Sequence, residues 1–247
     1  MYQIAPEKKT AELLKELSLY SLIDPPSELE LKRFEREAEK IKRIDSSDGY
    51  MLIGLVSFLK DDYQKAKSSF DNALANAPRD RETVLLNYSV VLNKLGRLSE
   101  GYTLLIDNYI QGSYEITTVI CKYGLLLGLF EDISEYVDKL KSFSNHSEDF
   151  LYVDGCIKAF KDAQITQKEA CDVYALLNEI YTKYKLSPTS SALRPDHEDD
   201  SLIAALYFKD ISSDILSNLS LELIERLAEK EFAAVVENKL SIVFFKS

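Results

Sequence analysis

Residues 47–78 read SDGYMLIGLVSFLKDDYQKAKSSFDNALANAP, and the fold of the chain turns on this stretch. Apolar side chains recur three and four positions apart on either side of Asp61-Asp62, which is the period of amphipathic helices. The stretch therefore predicts two helices and a short turn, closed by Pro78, which has no N–H to continue a helix. Working outward, the same period runs from Pro6 to about Lys185. Leu13, Leu14, Leu17 and Leu19–Tyr20 predict a first helix that ends at Asp24-Pro25-Pro26. Ser27 is positioned to cap a second, which turns Leu31, Phe34, Ala38, Ile41 and Ile44 inward. Its remaining faces mix acids and bases from Glu30 to Lys40 and read as a solvated surface. Short breaks follow at 45–49, 61–62, 78–80, 96–97, 111–113 and 142–147. Helices paired through loops this short make a bundle or a solenoid.

Spacing separates these two. Within 47–78, Tyr50, Ile53 and Gly54 are followed by Tyr63 at the turn, Ala66 and Phe70 in the second helix, Ala73–Leu74 near its end, then Pro78. This order resembles a tetratricopeptide repeat, a helix–turn–helix unit of 34 residues. The resemblance implies that Gly54 and Ala66 are small where the two helices touch, with Tyr50 and Phe70 filling the gap beside them. From Glu82 the matching places hold Leu85, Tyr88, Ser89, Leu92, Gly96, Leu98, Gly101 and Leu105; a third unit carries Ile120, Tyr123, Gly124, Leu127, Ile133 and Leu140. A fourth begins near Glu148 and is degenerate, with extra residues around Gln164–Gln167. Residues 1–186 are thus expected to be a tetratricopeptide-like helical repeat domain.

Past it, residues 187–200 contain two prolines, several serines and the cluster Asp196-His197-Glu198-Asp199-Asp200, and read as a linker. The apolar run Leu202–Phe208 predicts a strand, Ser212–Ser213 caps a helix with a second cap at Ser220, and 232–236 with 240–245 predict a hairpin. The expected fold class is mainly α, a solenoid followed by a small β-α-β-β module at 201–247. A module that small cannot cover its own apolar surface, so it is expected to dock on the helices or to form a homodimer.

Charge narrows the partners. Of 247 residues, 30 are basic and 41 acidic, a net charge of -11. Attraction to nucleic acid or an anionic membrane needs a basic face, so neither is expected as a main partner. Three cysteines without a CxxC pair read as reduced, buried thiols of a cytoplasmic protein, and no apolar run reaches the length of a membrane span. Chemistry is sparse. There are two histidines, no nucleophile elbow, no zinc-ligand spacing and no phosphate-cradling glycine loop, so no catalytic residue, cofactor or metal is assigned. The cluster at 196–200 lacks the spacing and turning glycine of a calcium loop.

In tetratricopeptide solenoids the first helix of each repeat lines a concave groove. By that resemblance the partner-binding positions are Met51, Leu55 and Phe58 in the first unit, Leu86, Val90, Asn93 and Lys94 in the second, and Leu125 and Leu129 in the third. Met51 and Leu55 stand where the family's carboxylate clamp needs a cation and an amide, so clamp function is not expected. The implied activity is non-catalytic binding of an apolar or basic protein segment, as an adaptor or chaperone-like holder. Neutralisation of a basic toxin or nuclease is the alternative that the acidity favours, and an enzyme subunit with a site between solenoid and tail is a further one. The competing view of the groove is that neighbouring helices simply cover it.

Overall fold

Polar residues at the breaks start the helices. Asp45, Asp62, Ser113 and Ser147 each accept a hydrogen bond from the backbone N–H three residues on, at 3.0, 3.1, 3.0 and 3.2 Å. Ser27 goes further and forms a capping box with Glu30. The computed structural model describes residues 6–22, 24–77, 80–184, 186, 188, 190–196, 201–208, 211–229 and 239–246. They form the helices α1 (Pro6–Leu17), α2 (Glu28–Lys42), α3 (Ser46–Leu59), α4 (Tyr63–Ala75), α5 (Arg81–Lys94) and α6 (Leu98–Asp107). Next come α7 (Tyr114–Leu126), α8 (Ser134–Phe143), α9 (Glu148–Asp162), α10 (Gln167–Tyr184), strands β1 (Ser190–Asp196) and β2 (Ser201–Phe208), α11 (Ser213–Glu229) and β3 (Leu240–Lys246). The chain is mainly α, with helix pairs leading into a small C-terminal sheet.

Two compact units, Met1–Val91 and Leu92–Ser247, divide within α5. In the first, α1 packs on α2, α2 on α3 and α3 on α4, and α1 also packs on α3. Alternate helices touching in this way is the arrangement of a helical repeat. A Cβ on Gly54 would stand 2.8 Å from the Phe70 ring, so the small residue and the large one meet where the spacing places them. Gly49, read from sequence as part of a break, is instead a helical residue of α3. A Cβ there would lie 2.2 Å from the Lys42 Cα, so its lack of one lets α2 and α3 approach closely. Phe70 in turn stacks on Tyr88, centroids 4.7 Å apart.

In the second unit, α7 packs on α6, α8 and α9. α10 departs from neighbour-to-neighbour packing. Gly96 and Gly128 both hold positive φ, 72° and 77°, in the turns after α5 and α7, and both turns press on α10. Thr182 Oγ1 donates to the Gly96 carbonyl at 2.7 Å, and Gln167 Oε1 accepts from the Glu131 and Asp132 N–H groups at 2.6 and 3.2 Å. Thr182 thus reaches back past α6 to α9. A fourth repeat that touched its neighbours alone would not do this.

The sheet has the order β1-β2-β3. β1 pairs antiparallel with β2, Leu193 opposite Ala204, and β2 pairs parallel with β3, Leu206 opposite Phe244, with α11 as the crossover. The expected linker is therefore in part a strand. Its prolines and serines suit an edge strand as well as they suit a linker, and β1 is an edge among the described strands. Ser220, read as a second cap, instead lies inside α11 and bonds the Leu216 carbonyl at 3.0 Å, so the expected single helix runs unbroken through it. The strand expected at 232–236 and residues 197–200 lie outside the described residues, as does Pro78. Leu202, Leu206, Phe208, Leu240 and Phe244 join the same core as Phe160, Tyr174 and Tyr181, so the C-terminal elements are docked on α9 and α10. Lys183–Glu222 at 2.6 Å and Arg226–Glu179 at 2.5 Å bridge α10 and α11, and the Tyr152 hydroxyl bonds Ser191.

Candidate partner-binding surface

The nine expected partner-binding residues do not share one fate. α3 is apolar all round, with Met51, Leu52, Ile53, Val56, Phe58 and Leu59 buried, and a helix without a polar face must be covered on every side. α1, α2 and α4 cover it. Met51 and Phe58 are consequently buried in the first unit and present no surface to a partner, and Leu55 is half-buried. Leu125, on α7, is likewise buried, in the core that α7 shares with α8, α9 and α10. Leu129 lies in the turn after α7, half-buried. For these helices, neighbours occupy the place a ligand was expected to take.

α5 differs. Val84, Leu85, Tyr88 and Val91 point into the core, while Thr83 and Val90 are exposed and Leu86 is half-buried between them. Positions 83, 86 and 90 follow helical spacing and form one accessible strip, with Val90 at 43% exposure. Asn93 and Lys94, further along the helix, are half-buried.

A second feature escaped the sequence reading. α2, α3 and α4 enclose a depression of about 480 Å³. α2 lines it with Glu35, Arg36, Glu39 and Lys40 and its C-cap Arg43, while Ile53 and Lys65 supply the rest. The signal was present in helical phase. Lys32, Arg36, Lys40 and Arg43 recur four, four and three apart and fall on one exposed stripe, whereas the acids of α2 flank it. Read without phase, the run looks evenly mixed.

Among the described residues, the buried thiols are held neutral and the metal-ligating side chains are scattered. Burial pushes the Cys121 thiol up to about 12 and Cys156 to about 11, away from the reactive thiolate. Tyr152 is raised to about 12, mainly by burial, and its hydroxyl is spent on Ser191, 2.8 Å from that side chain's oxygen. Among the described residues, no three His, Cys, Asp or Glu side chains are grouped to hold a metal ion, and no helix is long and apolar enough to cross a membrane. Comparison with known proteins returned no matching family model, no similar characterised protein and no similar solved structure.

Proposed function

We propose that the protein is a non-catalytic protein-interaction module, an adaptor or chaperone-like holder built on tetratricopeptide-like helix pairs, which takes an apolar segment of a partner on α5. The observation that carries this reading is the strip Thr83, Leu86 and Val90, left accessible on a helix whose other side is core. Covering the parts of Leu86 and Val90 still in water would contribute roughly 1 kcal/mol each, enough to matter for a weak, exchangeable complex. The acidic surface, with a net charge of -11, would favour basic residues flanking that segment.

A photo-crosslinking residue at position 90 tests it. The captured segment, made as a peptide, is expected to bind the wild-type chain and to lose about tenfold in affinity against Leu86→Asp/Val90→Asp at unchanged helicity, a loss of about 1.4 kcal/mol. Failure to capture a segment, or equal binding by the double variant, would remove α5 as the site. The same charge supports neutralisation of a basic protein as the second reading. That reading requires an association rate that falls steeply with salt, whereas apolar burial persists.

A further inference from the structure

The depression on the first unit carries a charge opposite to the molecule's own. Its two acids are already neutralised from outside the basic stripe: Glu35 by Lys60 at 2.6 Å, and Glu39 by Lys42 at 2.7 Å. Lys40 pairs with Glu37 at 2.6 Å. Arg36 and Arg43, two helical turns apart, are exposed and meet no carboxylate among the described residues. Lys65 approaches from α4 with only a 4.0 Å contact to Glu35, and Ile53, itself buried, lies at the floor. Two guanidinium forks that meet no carboxylate among the described residues make a receptor for carboxylates on a short chain.

We propose that this cleft binds an acidic peptide segment of a partner protein, with Arg36 and Arg43 taking its carboxylates. Size favours a peptide. Lys32 to Arg43 spans about 16 Å of helix, the length of about five extended residues. A longer polyanion such as a nucleic acid strand would run off the stripe onto a molecule whose net charge is -11. The site is distinct from the α5 strip and prefers the opposite charge.

The test uses the full chain and a fluorescein-labelled hexapeptide of alternating Asp and Glu, followed by anisotropy at low ionic strength. Arg36→Glu/Arg43→Glu is expected to weaken binding by about tenfold or more. Lys158→Glu/Lys161→Glu, the same charge change at two exposed positions of α9, should change it by less than about twofold. Equal losses in the two variants would reduce the effect to net charge and overturn the site. Absence of binding by the wild-type chain would overturn it too, as would tighter binding of a hexathymidine strand than of the peptide. Self-association of the wild-type chain that Arg36→Glu/Arg43→Glu abolishes would give the cleft to the acidic run 196–200 of a second copy instead.

Discussion

Gly96 and Gly112 hold similar backbone angles, φ 72° and 83°, in very different surroundings. A Cβ on Gly112 would meet nothing within 4 Å, whereas one on Gly96 would lie 2.5 Å from the Thr182 Cα. Gly112→Ala should therefore cost about 1 kcal/mol, the strain of a left-handed alanine. Gly96→Ala should cost about 3 kcal/mol or more, because α10 must also move. Urea denaturation of the two variants checks this, and equal losses would mean that the turn and α10 are not pressed together. Tyr181 supplies the opposite case. It is buried against Phe208, rings 5.8 Å apart, and its hydroxyl has no protein partner among the described residues. Burial drives its pKa well above the ordinary phenol value. Tyr181→Phe should leave stability unchanged or raise it by about 1 kcal/mol, measured by the same denaturation. The turn at Gly96 was legible in the sequence because glycine marks it. Its neighbour Thr182 was not, since no local pattern links residues 86 positions apart.

Among elements, α2 shows how far local chemistry reaches. Glu30 is held at a pKa of about 2, first by the Ser27 hydroxyl, then by the Tyr20 hydroxyl and the Ser27 N–H, at 2.6, 2.7 and 2.9 Å. Its folded pKa lies below the unfolded value near 4.3, so the folded state is favoured by the ionised form. That contribution is complete above about pH 5 and fades as pH falls from there towards 2. Glu30→Gln should accordingly melt below the wild type at neutral pH, with the difference shrinking as pH is lowered and vanishing near 2. Thermal scans across pH read this directly, and a gap that is constant with pH would show that the carboxylate's charge contributes nothing. Helix starts such as Ser27, Asp45, Asp62, Ser113 and Ser147 were readable because capping is a contact between near neighbours in the chain. β1 was not, because its strand character comes from pairing with β2 and not from its own serines and prolines. Which helices cover Met51 and Phe58 was not legible for the same reason. α3 announces its apolarity, but not that α1 will pack on it.

At the scale of the whole molecule, the C-terminal elements complete a core that the second unit's helices begin. Phe208 sits edge-on to both Tyr181 and Phe244, at 5.8 and 5.7 Å, and β1 is tied to α9 through Tyr152 and Ser191. Removing residues 189–247 would uncover Tyr181 and the α9–α10 surface and would leave Glu179 and Lys183 without Arg226 and Glu222. The exposed pairs count for little. Each large apolar side chain returned to water counts for about 1.5–3 kcal/mol, and several are lost together. A chain ending at Pro188 should keep its helical far-ultraviolet signal, yet melt earlier and elute as an aggregate. The separate 189–247 peptide should show no cooperative unfolding, since a sheet this small needs a helical layer from outside itself to bury its inner face. Size-exclusion chromatography with calorimetry of both fragments decides the matter. A monomeric 1–188 fragment that melts sharply, beside a tail that folds alone, would support the boundary expected at 187–200 and make the sheet a domain in its own right. Aggregation of the first fragment that is reversed by adding the second would instead show the shared core reassembling across the cut.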